Sequence, residues 1–426
     1  MPSSAALLWD ESFLWGLIAC RALKGLSLDF SLVTSEDIKQ GALEGKRLLY
    51  VPGGWASNKL ASLGDEGARR IKKFVEGGGS YIGVCGGAGL ATSEGIGLLD
   101  IKRRPLEERV PSLSGKIMAR AVSPHPFWNG ITGKSETKRK TKAKAKSKTK
   151  SPFFHIWWPS QFKPEDPSIK IVASFEQATQ AAFSSDLNVG SVHDWKALEA
   201  EYRLNLDPER MHGEPLALEG ACGAGRVFLT LIHLDTPRDA NGAKALQNLW
   251  MHLGGEKIKA GDKERRLLHS AGRSSLSKGL LAPVEELFEL GRRNFLWFKE
   301  GWIVRWRRGI RGLEYFTLYE LVKELAQRVE SQSSKKRAIL SERREYDVES
   351  LIAELRGFAD KAGRLLMLER MALQRGETLT FSRASDPEMA SLRAELFSNA
   401  KSHGGEFKEV LGKVDGILFE YLKHEF

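Results

Sequence analysis

Apolar positions in the first quarter of the chain fall in short solid runs separated by turns and amphipathic stretches. Ala5 to Trp9 reads as a buried strand, Phe13 to Leu26 as an apolar helix around Cys20, and Phe30 to Thr34 as a second strand. Arg47 to Val51 (R-L-L-Y-V) is a third, running straight into Pro52-Gly53-Gly54. Asp65 to Glu76 then sets Ala68, Ile71 and Val75 on one helical face and stops at Gly77-Gly78-Gly79, a strong helix terminator. A fourth strand enters at Tyr81. Strands and helices alternating at this spacing predict parallel βαβ units in a doubly wound α/β sheet, whose chemistry gathers beyond the carboxyl ends of the strands.

Past Gly95 the pattern thins. Lys116 to Ala121 and Ile169 to Phe175 read as strands, with a loop at Ser123 to Gly130 and an aromatic-rich stretch from Phe153 to Phe162 between them. His125 and His155 fall there without partner spacing and read as structural. Order returns with the turn Gly223-Ala224-Gly225, the buried run Arg226 to Ile232, then His233-Leu234-Asp235 and a closing helix from Gly242 to Leu253. Cys222, beside the turn, reads as a small residue only.

From about residue 258 the character changes. Residues 258–282 are polar and read as a linker, with a Ser/Gly-rich part at 270–279. From 283 to 426 the apolar stripes are helical: Leu318, Val322, Leu325 and Val329; Val348 through Ala362; and Phe407 through Leu422. They predict a helical bundle able to close on itself, on a second copy or on another protein. Arg292 to Arg308 interleaves Phe295, Trp297, Phe298, Trp302 and Trp306 with basic residues. Core packing on one helical face is the expectation there, with stacking on nucleic acid, or contact with an anionic or membrane surface or a partner protein, as the alternatives.

Charge changes this picture little once it is located. Of the net +11, Lys134 to Lys150 carries +8, leaving +3 for everything else. That low-complexity insertion is expected to be disordered by self-repulsion, with polyanion binding as the lesser alternative. Three cysteines form no disulfide framework and suit a reducing, cytoplasmic setting. Neither a signal peptide nor a membrane-length apolar run is evident. Metal-ligand spacing, a Walker loop and a dinucleotide fingerprint are likewise missing, so neither metal nor cofactor is expected.

The chemistry concentrates in Tyr81 to Leu90, Y-I-G-V-C-G-G-A-G-L. An apolar strand, a glycine-flanked Cys85 and a short helix form the pattern of a nucleophile elbow. A cysteine nucleophile needs a base, the base an orienting acid, and the tetrahedral intermediate backbone N–H donors. His233, Asp235 and the Gly53-Gly54 loop all fall at predicted strand ends.

With V-P-G-G (Val51 to Gly54), G-V-C-G-G-A-G-L (Gly83 to Leu90) and G-A-G-R-V-F-L-T-L-I-H-L-D (Gly223 to Asp235) in this order, residues 1–257 resemble a class I glutamine amidotransferase-like domain. The subtype found at the N-terminus of biotin–protein ligases is the nearest. The resemblance implies a flavodoxin-like fold, Cys85 as nucleophile, His233 as base, Asp235 as its acid, and Gly86 with Gly53 or Gly54 as backbone oxyanion hole. It implies attack on an amide or acyl carbon of a small molecule. Two positions depart from the pattern: Gly89 stands where glutaminases carry Gln, and Asp235 where Glu is commoner. Both leave the thiol chemistry available and turn the expectation away from glutamine itself. The competing reading is a catalytically silent binding or scaffold protein whose helical part recruits a partner.

Overall fold

A computed structural model describes residues 3–131, 151–257, 274–331, 348–381, 384, 386–398 and 403–423. The chain divides into two compact units, Met1–Asp262 and Lys263–Phe426. The Lys-rich insertion at 134–150 lies outside the described residues.

The N-terminal unit begins with β1 Ala5–Leu8, α1 Leu14–Gly25, β2 Ser31–Val33, α2 Ser35–Lys39, β3 Leu48–Val51, α3 Ala56–Glu76, β4 Ser80–Val84 and α4 Gly86–Leu90. It continues with β5 Ile101–Arg103, β6 Leu113–Ala121, β7 Phe153–Trp157, β8 Phe162–Pro164, β9 Lys170–Ala178, β10 Phe183–Ser184, β11 Leu187–Asn188 and α5 Trp195–Tyr202. The hairpin β12 Pro215–Cys222 and β13 Gly225–Thr230, then α6 Ala240–His252, complete it.

Strands β2, β1, β3, β4 and β13 lie side by side and parallel. Counting these strands alone, the order is 2-1-3-4-5, the flavodoxin-like arrangement. Every residue of β1, β3 and β4 is buried, as expected for strands covered on both faces. The helix read from Asp65 begins earlier, at Ala56, and Gly64 (φ 57°, ψ −173°) breaks it into two pieces.

The sheet is not parallel throughout. β12 pairs antiparallel with β13, β9 with β12, and β6 with β9; β7 and β10 also pair antiparallel with β6. The switch follows from connection length. Only Gly223 and Ala224 separate β12 from β13, which suffices for a hairpin but not for a crossover.

In the C-terminal unit the helices are Ser275–Arg293, Leu313–Ser331, Val348–Gln374, Pro387–Phe397 and Gly405–Lys423, of which the second, third and fifth carry the expected stripes. Leu321, Leu325, Phe358, Leu366, Leu411 and Leu418 are among the residues that form its core. Two expectations are corrected. The first helix starts at Ser275, capped by Ser274, and runs through Pro283, so the linker does not extend to 282. The aromatic–basic stretch is not a helical face but an antiparallel hairpin, Trp297–Glu300 with Ile303–Trp306. Gly301, at φ 64°, makes its turn. The helical face does not form: Trp297 is buried, whereas Phe298 and the preceding Phe295 are 47% and 71% exposed. Trp297 lies flat over Gly291, where a methyl group would come within 2.0 Å of its ring.

Candidate active site

Cys85 sits between β4 and α4 at φ 50°, ψ −104°, a strained conformation for a non-glycine residue. Hydrogen bonding holds it there, its N–H donating to the Thr230 carbonyl at the end of β13 (2.8 Å). The elbow also demands its glycines. A methyl group on Gly86 would fall 1.9 Å from the Gly54 carbonyl oxygen, and one on Gly87 2.0 Å from that of Val51. The loop after β3 is therefore pressed directly against the elbow. Tyr81 locks the same turn from below by donating to the Gly87 carbonyl (2.7 Å).

His233, three residues beyond β13, is completely buried. Its N–H donates to the His155 carbonyl (2.9 Å), and its ring lies against Trp15 with centroids 4.5 Å apart. A methyl group on Gly53 would stand 3.0 Å from the His233 ring, so the glycine loop, the elbow and the histidine meet at one place. Nδ1 of His233 lies 3.4 Å from Oδ1 of Asp235, which is also buried. The Tyr50 hydroxyl donates to the other Asp235 oxygen (3.4 Å), and burial followed by the Asp235 charge keeps that phenol protonated well above its ordinary range.

Burial by itself would depress the His233 pKa. The Asp235 carboxylate and the Cys85 sulfur, acting through close polar contact and through charge, outweigh it and raise the imidazole to about 9. By strict distance and angle neither ring nitrogen completes a hydrogen bond. The contacts are close enough to govern charge but loose, an ordinary condition for such constellations. Cys85 remains partly exposed while His233 is sealed, so the thiol is the accessible member. Its sulfur donates to the Trp157 carbonyl (3.7 Å).

All the residues expected to act together are therefore neighbours: Cys85, His233, Asp235, Gly53, Gly54 and Gly86. Gly89, four residues after the cysteine, faces α3, and a methyl group there would meet the Ala56 side chain at 3.3 Å. Sequence reasoning missed Tyr50, Trp15 and Trp157, which lack any motif and reach the site only through the sheet. It also missed the pair His155–Asp239, whose Nδ1 and Oδ2 lie 2.7 Å apart. His125, Glu219 and His252 converge elsewhere in the unit, with one potential ligand atom from each within 4.8 Å of the others. Nδ1 of His125 accepts from the Phe127 N–H (3.0 Å), so its Nε2 carries the proton toward Glu219. Nε2 of His252 already faces the Arg226 guanidinium (3.2 Å). The same nitrogen lies 3.3 Å from Glu219, so hydrogen bonds tie the trio together. Among the described residues no helix is long and apolar enough to cross a membrane.

Comparison with known proteins gives a family match over residues 26–95, to the model described as biotin-protein ligase, N terminal. The comparison with curated proteins finds no match. Among solved structures, a candidate GMP synthase component from Thermoplasma acidophilum is similar at 12% identity and TM-score 0.37, covering 59% of this chain and 95% of that one. A ThuA-like protein from Bacteroides uniformis is similar at 12% identity and TM-score 0.35, over 59% and 91% of the two chains. A β-galactosidase from Rahnella sp. R3 matches at 12% identity and TM-score 0.35, over 60% of this chain and 32% of its own. These structural likenesses carry no inference about activity. In its elbow and strand-end motifs, and in the family match over residues 26–95, the N-terminal unit resembles the glutamine amidotransferase-like domain of the biotin–protein ligase N-terminal type.

Proposed function

We propose that the N-terminal unit is a cysteine-dependent amidase or acyltransferase acting on a small amide or related acyl compound. The observation that carries this reading is the elbow itself. A strained Cys85 is held partly open beside a sealed His233 whose charge it raises. The Cys85 thiolate attacks the acyl carbon, and Asp235 holds the His233 imidazole in place. Backbone N–H groups of Gly86 and of Gly53 or Gly54 receive the developing oxyanion. His233 then gives its proton to the departing nitrogen, and water or a second acceptor releases the acyl group from sulfur. The chemistry needs no cofactor. Three unpaired cysteines favour a reducing, cytoplasmic setting. The C-terminal helices are assigned to contact with a second copy or another protein rather than to chemistry.

A second reading, a pocket that binds without turnover, is favoured by Gly89, which supplies no side chain where glutaminases have Gln and has little room for one. Iodoacetamide alkylation between pH 5 and pH 9, followed by mass spectrometry of the Cys85 peptide, tests whether the thiol is activated. Wild type should react faster than His233→Gln at every pH below 8. Equal rates would remove His233 as the base and leave the binding reading. Comparing metabolite depletion by wild type and Cys85→Ala then identifies the substrate.

A further inference from the structure

Apart from the thiol site, the N-terminal unit holds a cavity of about 370 Å³ lined by Glu94, Lys102, Arg103, Arg104, Arg109 and Lys163. We propose that it binds a compact, multiply charged anion of the phosphate-ester or pyrophosphate class, with Arg109 as its main contact.

The argument begins with which cations already have partners. Arg104 donates to both oxygens of Glu214 (2.7 and 3.0 Å) and to Glu108 (3.0 Å), and Arg103 donates to Glu94 (2.7 Å). Lys102 on β5 and Lys163 on β8 stand directly opposite each other across the strand pair. Like charges in that register repel. Both lean on the single carboxylate of Glu165, each at 3.6 Å. Arg109 has no ion pair among the described residues, and its Nε is buried without an acceptor.

The main chain that carries Arg109 is fixed on both sides. Asn205 donates to the carbonyls of Glu107 (2.6 Å) and Arg109 (3.0 Å), and the Gln161 side chain accepts the Val110 N–H (2.6 Å). The Arg104 N–H is bound to the Gln161 carbonyl (3.0 Å). Burial, and then the like charge of Arg103, lower the Arg109 pKa despite the attraction of Glu94 and Glu107. A guanidinium with an unused buried donor, lining one cavity with two opposed lysines, is an anion receptor waiting for its acceptor. A phosphoryl group fits this demand because several acceptor oxygens share one centre and meet donors from three segments at once. A monocarboxylate would answer only one of them.

The test is calorimetric titration of the full chain with sodium pyrophosphate at fixed ionic strength, with inorganic phosphate and citrate as parallel titrants. One saturable site is expected, weakened about tenfold or more in Arg109→Gln and unchanged when residues 134–150 are deleted. Should Arg109→Gln fail to fold, Lys102→Gln/Lys163→Gln should show the same loss. The proposal is overturned if no site saturates, if binding survives these substitutions, if deleting the Lys-rich insertion abolishes it, or if citrate binds as tightly as pyrophosphate.

Discussion

The raised pKa of His233 makes a quantitative prediction about stability. The folded imidazole titrates near 9 against an unfolded value of 6.5. Between these values the native state holds a proton that the unfolded state has released, so stability falls as pH rises through this window. The contribution is complete below pH 6.5 and lost above about 9. The span corresponds to about 3 kcal/mol. In His233→Gln this dependence is absent. The stability difference between wild type and His233→Gln should therefore shrink by about 3 kcal/mol from pH 6 to pH 9.5. Measuring hydrogen exchange on N-terminal peptides across a urea series isolates that unit, and subtracting the variant at each pH cancels the titrating groups that do not interact with His233. Asp235→Asn should shift the transition to lower pH, because only the Cys85 sulfur then opposes burial. A difference that stays flat across the range would show that His233 is buried neutral, and the charge-coupled pair would be refuted.

Two further outcomes follow from packing. Gly86→Ala, whose new methyl group would overlap the Gly54 carbonyl, should cost about 3 kcal/mol or more and lower the melting temperature of the N-terminal unit, as read by calorimetry. In the hairpin, Trp297→Ala should destabilise the C-terminal unit by about 3–5 kcal/mol in denaturant unfolding. Phe295→Ser, at a side chain 71% exposed, should stay within about 0.5 kcal/mol. Comparable losses from both would mean the hairpin face is inverted.

The parallel half of the sheet was legible because its strands are buried on both faces and so appear as solid apolar runs closed by glycines. Cys85, His233 and Asp235 were legible for the same reason, since each stands where such a run ends. Of the antiparallel half, β6 and β9 were legible as the runs Lys116 to Ala121 and Ile169 to Phe175, but β12 was not. β12 mixes Leu216 and Leu218 with Pro215, Ala217 and Glu219, and half-covered strands of this kind resemble loops. The error at 295–306 has a local cause. Aromatic residues spaced three and four apart imitate a helical face, while the signal that decides the matter is Gly301 between two strand-forming segments. Trp157 could not have been placed near Cys85 from sequence, because its position depends on the register of β7 against β6.

That the elbow is tied to Thr230 and faces His233 has a consequence for synthesis. Strand β4 finds its neighbour β3 already made, but β13, on its other side, is made much later. At ordinary elongation rates Cys85 precedes His233 by roughly 7–30 s. For that interval the thiol has neither its histidine nor the strand that fixes its backbone, and the edge of β4 is unpaired. The nascent chain therefore carries a sulfur without its activating base beside an open sheet edge, and a brief pulse of alkylating agent at pH 7 during translation should mark Cys85 less readily than the same pulse given to the finished protein, in which the thiol is partly exposed.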